Sequence, residues 1–481
     1  YYNREVHSRF ASHLLKSGKN EEAKIEYLKL LPDEMAFQAL EELDTEPAMI
    51  SEALIMKKEW KLTEEFLSPI VENATSENTD IVLMKHYAQA LAEQSELKRA
   101  LPFYKKLYEQ EPDNQGISWW YARCLESAGQ ATTAENIYLT LGEKGAYRRG
   151  IILQNRGRAM EAAEVLISSN EAASLWRGAR IYDTAGMTEK AIEAYIRIAE
   201  MESSYKDDAA YRAYILSRRI DKINSNVPEE VLSLYPAWMK RIGKEPVMPG
   251  IDEVVYDIPD YLKMASQYEK DGFVDAAAIE IAIGSKETDL EEKLALGDWY
   301  MKKGEYYNAI LWGIRSLSDK PTRHGYELAY PQAFEELVIA SSQKYNLEPE
   351  LLWAIIREES HFKHDAVSWA GALGLMQIMP PTGKDIASRL GLSITDEDLL
   401  NPEINIKFGA FYINSMLNMF DKNMDKALAA YNGDAGNVKK WMESSFGTLE
   451  EDFPTAITFT ETQEYITKVM NSYHIYKWLY D

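Results

Sequence analysis

Gly129-Gln130-Ala131-Thr132-Thr133-Ala134-Glu135-Asn136-Ile137-Tyr138 joins a turn to the start of a helix in one short string. A small residue is followed five positions later by Ala, and one helical turn after that by Tyr. The small-to-Ala offset recurs at Gly18/Ala23, Ser95/Ala100, Gly157/Ala162, Gly186/Ala191, Gly272/Ala277 and Gly304/Ala309, with Tyr again at Tyr27, Tyr104 and Tyr195. Where units adjoin, successive small residues stand 34, 28, 29 and 32 apart. The small residue permits a tight turn between two short amphipathic helices. Ala lets the pair approach closely, and Tyr fills the adjacent space. Any helical protein holds one such pair, but seven at one offset define a repeat.

The pattern resembles degenerate tetratricopeptide-type repeats, which implies stacked helical hairpins with a continuous core and a curved face open to a protein partner. Gly and Pro are sparse, at 25 and 17 of 481 residues, and runs of alternating β-branched residues are few. The whole chain therefore reads as all-α. The repeats place an α-solenoid scaffold at 1–224. Prolines then crowd Val227-Pro228, Tyr235-Pro236, Glu245-Pro246, Pro249-Gly250 and Ile258-Pro259, two repeat-like units follow, and 318–325 reads as a linker. These make 225–325 a connector. Residues 326–481 change character and form a separate domain.

Charge narrows the function. With 77 acids against 53 bases the net charge is −24, which argues against nucleic acid, whose phosphates are held by Lys and Arg. No window offers the ~20 uninterrupted apolar residues of a membrane-spanning helix. The single Cys124 excludes an internal disulfide, and seven scattered His form no zinc-type cluster. The chain opens on Tyr1-Tyr2-Asn3-Arg4, compatible with a leader or lipid anchor already removed.

The chemistry lies beyond residue 326. Asn346-Leu347-Glu348-Pro349 has the acid and proline of a helix start. In the run that follows, Leu352, Ile355, Ile356 and Glu359 fall at i, i+3, i+4 and i+7, on one face. Glu359 thus ends an apolar stripe. Desolvation there raises a carboxyl's pKa and keeps it protonated near neutral pH, as a general acid requires. By itself the pattern is weak, since most helical Glu residues are solvated. Ser360 reads as a helix C-terminal cap. Next, Ser368-Trp369-Ala370-Gly371-Ala372-Leu373-Gly374-Leu375-Met376-Gln377-Ile378-Met379-Pro380-Pro381-Thr382 sets two glycines in a loop closed by prolines. The glycines allow close ligand approach, Ser368 and Gln377 offer hydrogen bonds, and Met379 an adaptable apolar wall.

Glu-Ser, a Ser nine residues after the Glu, and Gly-Ala-x-Gly-Leu-Met-Gln-Ile-Met-Pro-x-Thr resemble the lysozyme-like catalytic domain of the soluble lytic transglycosylases. Asn401-Pro402-Glu403-Ile404-Asn405-Ile406, Ala430-Tyr431-Asn432, and Glu461-Thr462-Gln463-Glu464-Tyr465-Ile466 match further motifs in the family's order, and Tyr330-Pro331 its usual entry. One departure stands out: Asn432-Gly433-Asp434-Ala435-Gly436 replaces the usual Asn-Ala-Gly-Pro-Gly.

The resemblance implies cleavage of the MurNAc-β-1,4-GlcNAc bond of peptidoglycan by Glu359 alone, with no cofactor or metal. Glu359 protonates the glycosidic oxygen, and the 2-acetamido oxygen steadies C1. Glu359 then takes the proton from O6, closing a 1,6-anhydro ring. Ser368, Gln377, Met379, Tyr431, Asn432, Glu461 and Tyr465 would line the glycan site, although Tyr431 and Tyr465 also read as core tyrosines. It also implies a periplasmic or otherwise extracytoplasmic setting, with peptidoglycan strands as partner. Two alternatives stay open: a muramidase in which Asp434 or another acid activates water, and a repeat scaffold that grips glycan without cleaving it. Peptidoglycan is itself acidic, so binding should rest on local sugar contacts with modest salt dependence.

Overall fold

The computed structural model describes residues 2–72, 80–220, 229–233, 235–246, 248–444 and 449–481. Every regular element among them is helical, relieved only by isolated bridges. None of these helices is long and apolar enough to cross a membrane. The chain forms two compact units, Tyr1–Ala194 and Tyr195–Asp481. The expected boundary at 224/225, with Val227-Pro228 beside it, lies outside the described residues.

The first unit is a succession of helical hairpins. Its repeat turns show what the small residue does: Gly18, Gly129, Gly157 and Gly186 all have φ between 72° and 78°, and Ser95 has φ 65°. No atom lies within 4 Å of a Cβ built on any of those four glycines, so backbone conformation and not crowding selects them. The Ala five residues on is fully buried at Ala23, Ala100, Ala134, Ala162 and Ala191, and Tyr27, Tyr104 and Tyr138 are buried beside it.

The second unit repeats this device at Gly272 and Gly304 (φ 84° and 71°), in the hairpins Asp260–Lys270/Val274–Gly284 and Leu290–Met301/Tyr306–Asp319. The proline-rich stretch contains two short helices, Glu229–Ser233 and Pro236–Arg241. The 318–325 run is no loose linker: Thr322 is fully buried, caps the helix Arg323–Ala329 by accepting from the Gly325 amide, and bridges to Asp252.

Beyond it one core gathers Trp353, Ile355, Ile356, Phe408, Leu428 and Tyr476. Its central helix, Pro349–Ser360, is buried on more sides than one stripe requires, with Leu351, Trp353 and Arg357 inside as well. The long C-terminal helix Thr460–Tyr480 packs against it. From that helix the Tyr476 hydroxyl donates to the Pro331 carbonyl (3.1 Å) and the Tyr480 hydroxyl to that of Tyr330 (2.8 Å). The Tyr-Pro entry is thus strapped to the end of the chain.

Candidate active site

The helix Pro349–Ser360 stops because His361 and Phe362 turn left-handed, with φ 49° and 61°. Glu359 therefore sits in the last turn of a core helix. Its carboxyl is pushed up to about 8 by burial; the nearby Tyr465 hydroxyl offsets part of the rise, and the Glu358 and Glu461 carboxylates add to it. The Tyr465 oxygen is sealed from solvent, and its hydroxyl acts on the Glu359 carboxyl at close range. Burial and the nearness of Glu359 raise the pKa of both Tyr465 and Tyr431 well above the ordinary tyrosine value. Glu359, Tyr431, Glu461 and Tyr465 thus converge, although the last two lie about a hundred residues further along the chain.

Glu358 is drawn away by different partners. It accepts from the Ser472 hydroxyl (2.6 Å) and from the buried Arg357 guanidinium. Arg357 also donates to the Ala329 carbonyl (2.9 Å) and lies 4.0 Å over the Tyr330 ring. Adjacent acids on one helix therefore take opposite roles, one ion-paired and one kept in its proton-bearing form.

The loop 366–379 is built more tightly than a ligand cradle. Gly374 has φ 77°, and a Cβ there would meet Asn405 Nδ2 and the Leu399 carbonyl at 2.4 Å, so both backbone conformation and packing require this glycine. Ser368 Oγ accepts from the Ala372 amide (2.9 Å), and Gln377 Nε2 donates to the carbonyls of Gly374 (2.8 Å) and Ala366 (3.3 Å). These polar atoms shape the loop. Met379 is exposed at its end. Two hydroxyls fasten the loop beside Glu359: Ser360 donates to the Leu375 carbonyl and Tyr431 to that of Met376, both at 2.8 Å. Ser360 is accordingly a staple between helix and loop.

Asn405 completes the frame and was not foreseen as a site residue. Fully buried, it accepts from the Met376 amide (2.7 Å) and donates to the carbonyls of Leu373 (2.9 Å) and Leu399 (2.6 Å). Its signal was legible: Asn405 lies one helical turn before the buried Phe408, and an amide on such a face needs dedicated partners. Asn432 Oδ1 accepts from the Thr462 hydroxyl (2.6 Å), tying the Tyr431 segment to the helix that carries Tyr465. The departure that follows has a structural reason. A Cβ at Gly433 would meet Thr462 Oγ1 at 2.8 Å, and Asp434 caps the helix Ala435–Glu443 by accepting from the Gly436 amide (2.6 Å).

Fold and side chains together define a helical domain holding one proton-retaining Glu among tyrosines. Residues 336–453 match the transglycosylase SLT domain family, and 91–146 the tetratricopeptide repeat family. The soluble lytic murein transglycosylase of Salmonella typhimurium is 34% identical over 149 residues, which are 30% of this chain and 23% of that protein. Membrane-bound lytic murein transglycosylase C of Serratia proteamaculans is 30% identical over 163 residues, 29% of this chain and 46% of that one. The chain thus spans about a quarter of the length of the soluble relatives it matches. The likeness in fold is wider. The 70 kDa soluble lytic transglycosylase of Escherichia coli superposes with TM-score 0.63 at 17% identity, covering 99% of this chain and 86% of that one. The Pseudomonas aeruginosa enzyme, solved as an inactive Glu-to-Gln mutant, gives 0.58 at 18%, covering 98% and 81%.

Proposed function

We propose that the chain is a peptidoglycan lytic transglycosylase, with 1–224 as repeat scaffold, 225–325 as connector and 326–481 as catalytic domain. The observation that carries this reading is the Glu359 carboxyl, held near pKa 8 by burial within a domain that matches the SLT family. Such a carboxyl keeps its proton at neutral pH and can deliver it to the bridging oxygen between MurNAc and GlcNAc. Once ionised, it is the base that takes the proton from O6 as the 1,6-anhydro ring closes. The substrate's acetamido oxygen stands in for the second carboxylate of most glycosidases. Tyr431 and Tyr465 orient the reacting groups; Ser368, Gln377, Met379, Asn432 and Glu461 line or shape the cleft. The substrate sets the location outside the cytoplasmic membrane, and the repeat scaffold is the part suited to a protein partner.

The muramidase alternative, in which Asp434 or another acid activates water, draws less support from Asp434, which is exposed and caps a helix. Products decide the matter. Digested peptidoglycan should yield muropeptides with anhydro ends, one water lighter than hydrated ends, by mass spectrometry. Hydrated ends alone would overturn the reading, and an inert protein would favour the glycan-gripping scaffold.

The raised carboxyl also sets a pH profile. The protonated form persists below pH 8 and is lost above it, so kcat/KM should fall as pH rises through about 8. Glu461 pushes the Glu359 pKa upward, so Glu461→Gln should move that limb to lower pH. A limb unmoved in this variant would mean that Glu461 does not act on the acid.

A further inference from the structure

Trp369 is 97% exposed, between Val367 at 63% and, ten residues on, Met379 at 39%. An indole this bare adds almost nothing to folding, and leaving so large an apolar surface in water forgoes the stabilisation that burial would bring. Isolated exposed aromatics are common at mobile tips, yet this one stands on a fastened turn. The Ser368 amide donates to the Ala372 carbonyl (3.0 Å), the Gly371 amide to that of Ser368 (3.0 Å), and the Ala372 amide to Ser368 Oγ (2.9 Å). Gly371, at φ 88°, closes the turn. Below it Val367 and Leu373 form an antiparallel bridge, as do Leu373 and Ile378. The base of this small hairpin is the segment that Ser360, Asn405 and Tyr431 bind beside Glu359. Trp369 therefore rides a rigid arm rooted in the active site.

We propose that Trp369 is a stacking platform for a pyranose ring of the glycan strand, extending the binding site beyond the reacting sugars; this rests on the transglycosylase reading. One face of a β-linked pyranose presents mainly C–H groups, which pack on an indole without requiring charge. That suits a protein whose net charge is −24 and whose substrate bears carboxylates. The hydrogen-bonded turn presents the indole before ligand arrives, so little ordering entropy is lost on binding. It also gives the Ser368 hydrogen bond a purpose: accepting from Ala372, it holds the turn that presents its neighbour.

The test measures binding of peptide-free peptidoglycan strands by Glu359→Gln protein, with and without a second change at Trp369, beside product release by the parent and by Trp369→Ala. Trp369→Ala should weaken strand binding about fivefold, and Trp369→Phe should keep it within about twofold. At the tip of an exposed turn neither change threatens the fold. Unchanged affinity in Trp369→Ala, with anhydro products still formed, overturns the platform and leaves the enzyme reading intact. A parent that neither binds strands nor releases anhydro ends overturns both. Equal strand affinity with lost binding to phosphatidylglycerol vesicles would assign Trp369 to a lipid surface and overturn the proposal.

Discussion

Glu359→Gln is expected to lower turnover of purified peptidoglycan by about 10²–10⁴-fold while the protein stays folded and retains glycan binding. An amide preserves the shape of the side chain but has no carboxylic proton to give and cannot take the one from O6. The variant should also be more stable above neutral pH, and the sign of that effect is a second check. In the folded protein the carboxyl titrates near 8, whereas the unfolded chain titrates near the ordinary 4.5. Between those values the native state binds more protons than the unfolded one, so this group lowers stability as pH rises through that window. Below pH 4.5 both states are protonated and the penalty vanishes. Gln removes it, so the variant should gain at least about 1 kcal/mol at pH 8 and almost nothing at pH 4, by denaturant titration. An active Glu359→Gln protein would remove Glu359 from the chemistry. An inactive one with no pH-dependent gain would point to a hydrated carboxyl, and the raised pKa would have to be abandoned.

What the sequence made legible was set locally. A hairpin turn needing φ near +70° accepts Gly at four positions of the first unit and Ser at a fifth, so conformation left a mark at each repeat. Glu359 was legible because a carboxyl at the end of an apolar stripe has few environments open to it. Hydrogen bonds that depend on the closed loop were not legible: Ser368 and Gln377 advertise polar atoms, and only the folded turn shows that both face its backbone. Asp434, one acid that could activate water in the muramidase alternative, caps a helix, and the sequence does not tell the two uses apart because caps and catalytic acids share one residue type. Least legible was Arg212. On the helix Lys206–Arg219 it reads as one more solvated base, yet it is buried against Asp452, 240 residues along the chain.

That pair carries the largest expected effect on stability. Arg212 and Asp452 are each 3% exposed, and Arg219 reaches the same carboxylate at 2.8 Å, while the Tyr211 hydroxyl donates to the Glu451 carbonyl at 2.7 Å. Asp452→Ala removes the buried carboxylate that Arg212 and Arg219 share, and should destabilise the second unit by about 3–5 kcal/mol. Arg218→Ala, at the exposed edge of the same cluster, should cost at most about 1 kcal/mol. Replacing both buried partners with apolar residues (Arg212→Met with Asp452→Leu) should recover most of the loss, because the buried charge is then removed together with its carboxylate. Denaturant midpoints followed by tryptophan fluorescence separate these cases. The consequence extends toward the active site, since Asp452 leads through Phe453–Ala456 into the helix that brings Glu461 and Tyr465 to Glu359. In Asp452→Ala, heat should therefore abolish activity at a lower temperature than in the parent, while turnover well below that transition changes little. If instead Asp452→Ala unfolds no earlier than Arg218→Ala, solvent reaches the pair and it does not hold the second unit together.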